Sequence, residues 1–101
     1  MKGSNVMGNV KYSNIKTSNG DVNFNKTDLK IHQFECSNFE YIKIYNLVGD
    51  FKVYINNSDD FIFVNGLKEL ELKDFAINNV KIEFASPDGM ESGSLQYYLC
   101  K

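Results

Sequence analysis

The chain has 101 residues, 43% hydrophobic and 24% charged, with a net charge of −2. That is enough for one core and too little for two, the composition is ordinary for a globular domain, and no apolar run reaches the roughly 20 residues that span a bilayer. All eleven cations are lysine and the pI is near 5.3, so there is no basic field to gather phosphates and neither nucleic acid nor a membrane is expected as partner.

Met1 to Asn5 is not followed by the apolar stretch of a secretory signal, so synthesis in a cytoplasm is the expectation. Residues 1–27 are rich in Ser, Asn, Gly and Thr, with isolated apolar positions such as Val10, Ile15, Val22 and Phe24. This reads as a polar arm that contributes little to the core. One or two edge strands are expected in it, around Val10 to Ile15 and Val22 to Phe24, separated by a turn at Ser18-Asn19-Gly20-Asp21.

From Asp28 onward, residues 28–101 show the period-two alternation of strands that bury one face. Leu29 to His32 opens the series, and Phe39 to Tyr45 follows, dense in aromatic and β-branched residues. Val48-Gly49-Asp50 breaks the run before Phe51 to Ile55, a hairpin signal. Asn56 to Asp60 is a polar turn leading into Phe61 to Val64. Leu67 to Phe75 reads as strand from the alternation of Leu70 and Leu72, with helix as the alternative because Leu and Glu favour it. Val80 to Phe84 alternates strictly, Ser86-Pro87-Asp88-Gly89 turns, and Ser94 to Cys100 closes the chain. The expected fold is all-β: one antiparallel β-sandwich, jelly-roll-like, with an extended N-terminal arm. Its core should contain Ile42, Ile44, Val53, Ile55, Ile62, Val64, Val80, Ile82 and Phe84.

No enzyme site emerges. His32 is the single histidine, and any nucleophilic mechanism would need it as base. Cys36 is near in sequence, but four strand positions stand about 13 Å apart. One histidine and two distant cysteines make no zinc set, so no metal or other cofactor is expected, and Cys36 and Cys100 read as reduced, buried or half-buried thiols. Asn56 to Asp60 offers oxygens without EF-hand spacing and reads as a solvated turn rather than a calcium loop. Glu69 and Glu71 share a strand face, which reads as the wet one rather than as paired acids. Asn25-Lys26-Thr27 and Asn56-Asn57-Ser58 match the glycosylation pattern by chance in an Asn-rich chain.

The informative excess is aromatic, eight Phe and six Tyr. Alternation sets Tyr41 and Tyr45 opposite Ile42 and Ile44, and Tyr54 opposite Val53 and Ile55. These three tyrosines are the candidate interface, since an apolar ring with a polar tip suits a docking or sugar-binding surface. A second buried face is the competing reading.

The hydrophobic hairpins of Phe51 to Val64, the run Phe75-Ala76-Ile77-Asn78-Asn79-Val80-Lys81-Ile82 and the near-terminal Gly93-Ser94-Leu95-Gln96-Tyr97-Tyr98 resemble small β-sandwich proteins of tailed-bacteriophage virions. Missing arginine with abundant Asn, Lys and Ile fits a low-GC Gram-positive host. The resemblance implies a structural virion component, a capsid decoration or head or tail accessory protein. It would assemble as a homo-oligomer on other virion proteins of a capsid or tail lattice. The alternative is a carbohydrate-binding β-sandwich recognising cell-surface glycans.

Overall fold

The computed structural model describes residues 11–86 and 89–101. Seven strands follow one another: β1 (Ile15–Thr17), β2 (Val22–Asn25), β3 (Ile31–Val48), β4 (Phe51–Ile55), β5 (Ile62–Val64), β6 (Leu70–Phe84) and β7 (Ser92–Cys100). All pairings are antiparallel and run β1-β7-β3-β6-β4-β5, with β2 also on β7. The all-β antiparallel expectation is met. Where a sandwich would have two separate sheets, the long β3 and β6 run through both layers and tie every strand into one sheet.

That sheet is folded over on itself. Tyr97 of β7 is laddered to Ile44, yet its ring stacks on Phe34, earlier on the same strand, at 4.8 Å. One outer layer therefore holds β7, the second half of β3 and the first half of β6. The other holds the first half of β3, the second half of β6, β4 and β5. The inner faces meet in a core of Ile42, Ile44, Phe51, Val53, Val64, Ile77, Val80, Ile82, Phe84, Leu95 and Leu99.

Asparagine makes the folding-over possible. Between Glu35 and Phe39, four steps along β3 match two along β6; between Phe39 and Tyr41 the imbalance reverses, so the register is restored. Asn38 and Asp74 occupy these bulges with φ of 52° and 60°, a region that Asn and Asp tolerate better than most side chains. A bulge leaves backbone groups without ladder partners, and side chains take them up. Asn78 Oδ1 accepts from Asn38 N at 2.9 Å, while Asn56 accepts from Asn78 N and donates to Ala76 O, both at 2.7 Å.

Several expectations are corrected. Phe39 to Tyr45 and Phe51 to Ile55 form no hairpin: β3 and β4 each pair with β6, and Gly49, at φ 105°, carries the chain from one layer to the other. Ser18 to Asp21 does not reverse the chain either. β1 and β2 are both antiparallel to β7 and lie in line along it, so the left-handed Asn19 and Gly20 loop out of a broken edge strand. Leu29 to His32 merges with Phe39 to Tyr45, and Leu67 to Phe75, a strand from Leu70, merges with Val80 to Phe84.

The edge strand expected at Val22 to Phe24 is present and one lies at Ile15–Thr17, but the expected small contribution of this segment to the core is corrected. Residues 1–10 lie outside the described residues, but 15–17 and 22–25 belong to the sheet, and Phe24 is 2% exposed. Its ring packs on Phe51 at 5.0 Å and on Phe84 at 6.3 Å, so it closes the core. Of the nine expected core residues all are buried except Ile62, 38% exposed. β5 ends the sheet, and Ile62 lines a shallow surface pocket with Val53, Ile55 and Phe75.

Candidate functional site

Because Leu95, Tyr97 and Leu99 of β7 point inward, Gln96 and Tyr98 point out. On β3 the same alternation buries Ile42 and Ile44 and turns Tyr41, Lys43 and Tyr45 outward. Cross-strand pairing sets Lys43 opposite Tyr98, and Tyr45 opposite Gln96. The rings of Tyr41 and Tyr45 thus flank that of Tyr98, with centroids 5.8 Å from it on either side, one stacked at 24° and the other edge-on at 67°. Tyr12, before β1, extends the row, 5.9 Å from Tyr41. All four are half-exposed.

The hydroxyls are tied down. Tyr41 donates to Glu71 at 2.6 Å and Tyr45 donates to Gln96 at 3.2 Å, whose amide in turn donates to Asp21 at 2.9 Å. The bond from Tyr41 holds the Glu71 carboxyl below the usual carboxylate range, with help from Lys73 and Lys43. The same bond, with partial desolvation and the neighbouring Tyr98, pushes the Tyr41 phenol well above its ordinary value. The result is an aromatic stripe bordered by a fixed carboxylate, an amide and lysines. It has the chemistry to bury rings against a partner while offering hydrogen bonds at the margin.

The three predicted tyrosines are not one surface. Tyr41 and Tyr45 share the row, whereas Tyr54 stands on the outer face of the other layer. There it lies 5.8 Å from Phe61, under Lys81 at 4.5 Å, and donates to Glu83 at 3.3 Å. Sequence reading missed Tyr98 and Tyr12. Tyr98 was accessible from the alternation of Leu95, Tyr97 and Leu99; Tyr12 was not, because only the fold brings the segment before β1 beside β3.

The remaining candidates are engaged in local contacts. His32 Nε2 is 3.2 Å from the Tyr97 hydroxyl, and burial, then the charge of Lys16, lowers its pKa. The Cys36 thiol donates to Ile77 O at 3.3 Å, and burial raises its pKa. Both cysteines are free and half-buried. Glu69 accepts from Asn46 N, and Asn25 Oδ1 caps a local turn through Thr27, Asp28 and Leu29 N. In the loop after β4, Asn56 is committed to the β6 backbone and Ser58 Oγ accepts from Asp60 N. Among the described residues no group of three or more His, Cys, Asp or Glu is placed to hold a metal ion. Comparison with family models, curated proteins and solved structures finds no match to this chain.

Proposed function

We propose that this chain is a non-enzymatic assembly protein that docks on a larger protein lattice through the row of Tyr12, Tyr41, Tyr98 and Tyr45. The sequence resemblance gives that lattice its form, a capsid or tail surface of a tailed-phage virion on which the chain serves as decoration or accessory protein. One observation carries the reading: four half-exposed rings stand in a row on an outward sheet face, neighbouring centroids 5.8 to 5.9 Å apart, two with their hydroxyls already bonded. Rings held in place beforehand lose little freedom on binding, and tyrosine is among the residues that most often anchor interfaces. The surface is a face rather than a cleft, which suits a protein partner over a small substrate.

Recognition of cell-surface glycans is the second reading, favoured by the Glu71 carboxylate and Gln96 amide beside the rings. The test is a Tyr41→Ala/Tyr98→Ala double variant, confirmed as folded by thermal denaturation and co-sedimented with purified virions. Binding at least tenfold weaker than that of the unaltered protein is expected. Undiminished pelleting would overturn the proposal, and a loss confined to isolated cell-wall polysaccharide would put the glycan reading in its place.

A further inference from the structure

Natural sheet edges are blunted by shortness, charges, proline or a bulge, and most edges of this sheet follow the rule. β5 has three residues, and Asn65 and Lys68 bond each other both ways across the turn that follows it. β1 and β2 make an edge broken by the loop at Asn19 and Gly20. The first half of β6 carries Glu71, Lys73 and a bulge at Asp74. The first half of β3 differs, since Ile31-His32-Gln33-Phe34 holds no lysine, carboxylate, proline or bulge. Phe84 N donates to Lys30 O, so Lys30, His32 and Phe34 turn their backbone groups to β6, while Ile31, Gln33 and Glu35 turn theirs the other way. β7 joins that side of β3 only from Tyr41 onward. Among the described residues nothing bonds the amides or carbonyls of Ile31, Gln33 and Glu35.

The surroundings of this edge say what fits it. It is bounded at both ends, where Leu29 O accepts from Asn25 N at 3.2 Å and Ser37 O accepts from Lys101 Nζ at 2.9 Å, which leaves room for a strand of about five residues. Beneath it β1 and β2 carry the other layer out past β7, and two of their side chains reach up: the Phe24 ring lies 6.4 Å from that of His32, and Lys16 Nζ lies 5.5 Å from the centre of the Phe34 ring. A second copy brought edge to edge would drive its own β1 and β2 into these, whereas a lone extended segment can lie over them. Lys16 is turned inward under the edge and makes no ion pair among the described residues. We infer that residues 31–35 of β3 accept an extended segment of a partner protein as an added strand, with a carboxylate side chain of that segment turned inward to Lys16. Ladder bonds to Ile31, Gln33 and Glu35 hold the segment, and Lys16 selects an acidic one. This edge belongs to the opposite layer from the tyrosine row and does not depend on it.

Amide hydrogen exchange followed by NMR tests the pairing, with the peptide Thr-Val-Thr-Glu-Thr-Val-Thr and its counterpart bearing a central Lys as probes at millimolar concentration. In the protein alone the amides of Ile31, Gln33 and Glu35 should exchange fast and those of His32 and Phe34 slowly. The Glu peptide should slow the first three at least tenfold and bind at least tenfold more tightly than the Lys peptide, and Lys16→Glu should reverse that preference. Gln33→Pro should abolish binding yet leave the fold intact by thermal denaturation, because the lost N–H points away from β6. Gln33→Ala, which removes only the side-chain bond to Asn79, should bind as the unaltered protein does. Amides already protected in the protein alone, no slowing with either peptide, or equal affinity for the two would each overturn the proposal. Protection that instead appears on concentrating the protein without peptide would also overturn it, in favour of a second copy.

Discussion

The molecule holds two aromatic clusters on opposite sides of its sheet. Phe24, Phe51 and Phe84 meet at centroid distances of 5.0 to 6.3 Å where the sheet closes, nearly fully buried. Tyr12, Tyr41, Tyr98 and Tyr45 are spaced almost equally, but on the outside. Ring-to-ring distance is therefore no guide to what a cluster does. The side of the sheet decides it: alternation sends Phe51 inward with Val53 and sends Tyr41 outward opposite Ile42. The inner cluster holds the layers together, and the outer one stays half-exposed.

Removing a member of the inner cluster should have the largest effect. Phe51→Ala or Phe84→Ala should cost about 3 to 5 kcal/mol in urea unfolding, enough to unfold much of a marginally stable domain. Phe24→Ala should fall in the same range; a loss near zero would mean that residues 15–25 are an appendage after all. Gly93→Ala comes next, because an added Cβ would lie 2.4 Å from Val48 O and 2.6 Å from the Phe84 ring. Relieving that clash should cost about 1 to 3 kcal/mol by thermal denaturation. Tyr98→Ala, on the outer row, should cost about 1 kcal/mol or less.

These expectations show which features a sequence displays. Burial of Ile42, Ile44, Val53, Ile55, Val80, Ile82 and Phe84 was legible because alternation is local, and so was the outward turn of Tyr41 and Tyr45. Continuity of β3 and β6 was not. Asn38 and Asp74 look like turn residues, and whether a left-handed Asn reverses a chain or makes a bulge depends on a partner strand far away in sequence. Hairpins were over-read at Val48 to Asp50 for the same reason. The place of Phe24 was hidden by its polar neighbours.

The clusters also differ in their response to pH. His32 sits beside Tyr97 and Phe24, at the margin of the inner cluster, and its lowered pKa means that the fold prefers the neutral ring. Its contribution is fully present above the unfolded value near 6.5 and is lost as pH falls through the lower folded value. Denaturant midpoints should drop across that window, and His32→Gln should flatten the drop. On the outer row the Tyr41 phenol is raised above 10.0 by its bond to Glu71, so the neutral form is favoured in the fold. That contribution persists to about pH 10 and is lost above it. Ultraviolet titration should find Tyr41 ionising earlier in a Glu71→Gln variant.

Hydroxyl-radical footprinting of the free protein and of the protein bound to virions tests most directly whether the outer row is the docking surface. In the free protein Tyr12, Tyr41, Tyr45 and Tyr98 should be oxidised and Phe51 and Phe84 spared. On binding, the four tyrosines should become protected together while Tyr54 on the opposite layer remains reactive. Protection of Tyr54 and Phe61 with the four tyrosines unchanged would contradict the account.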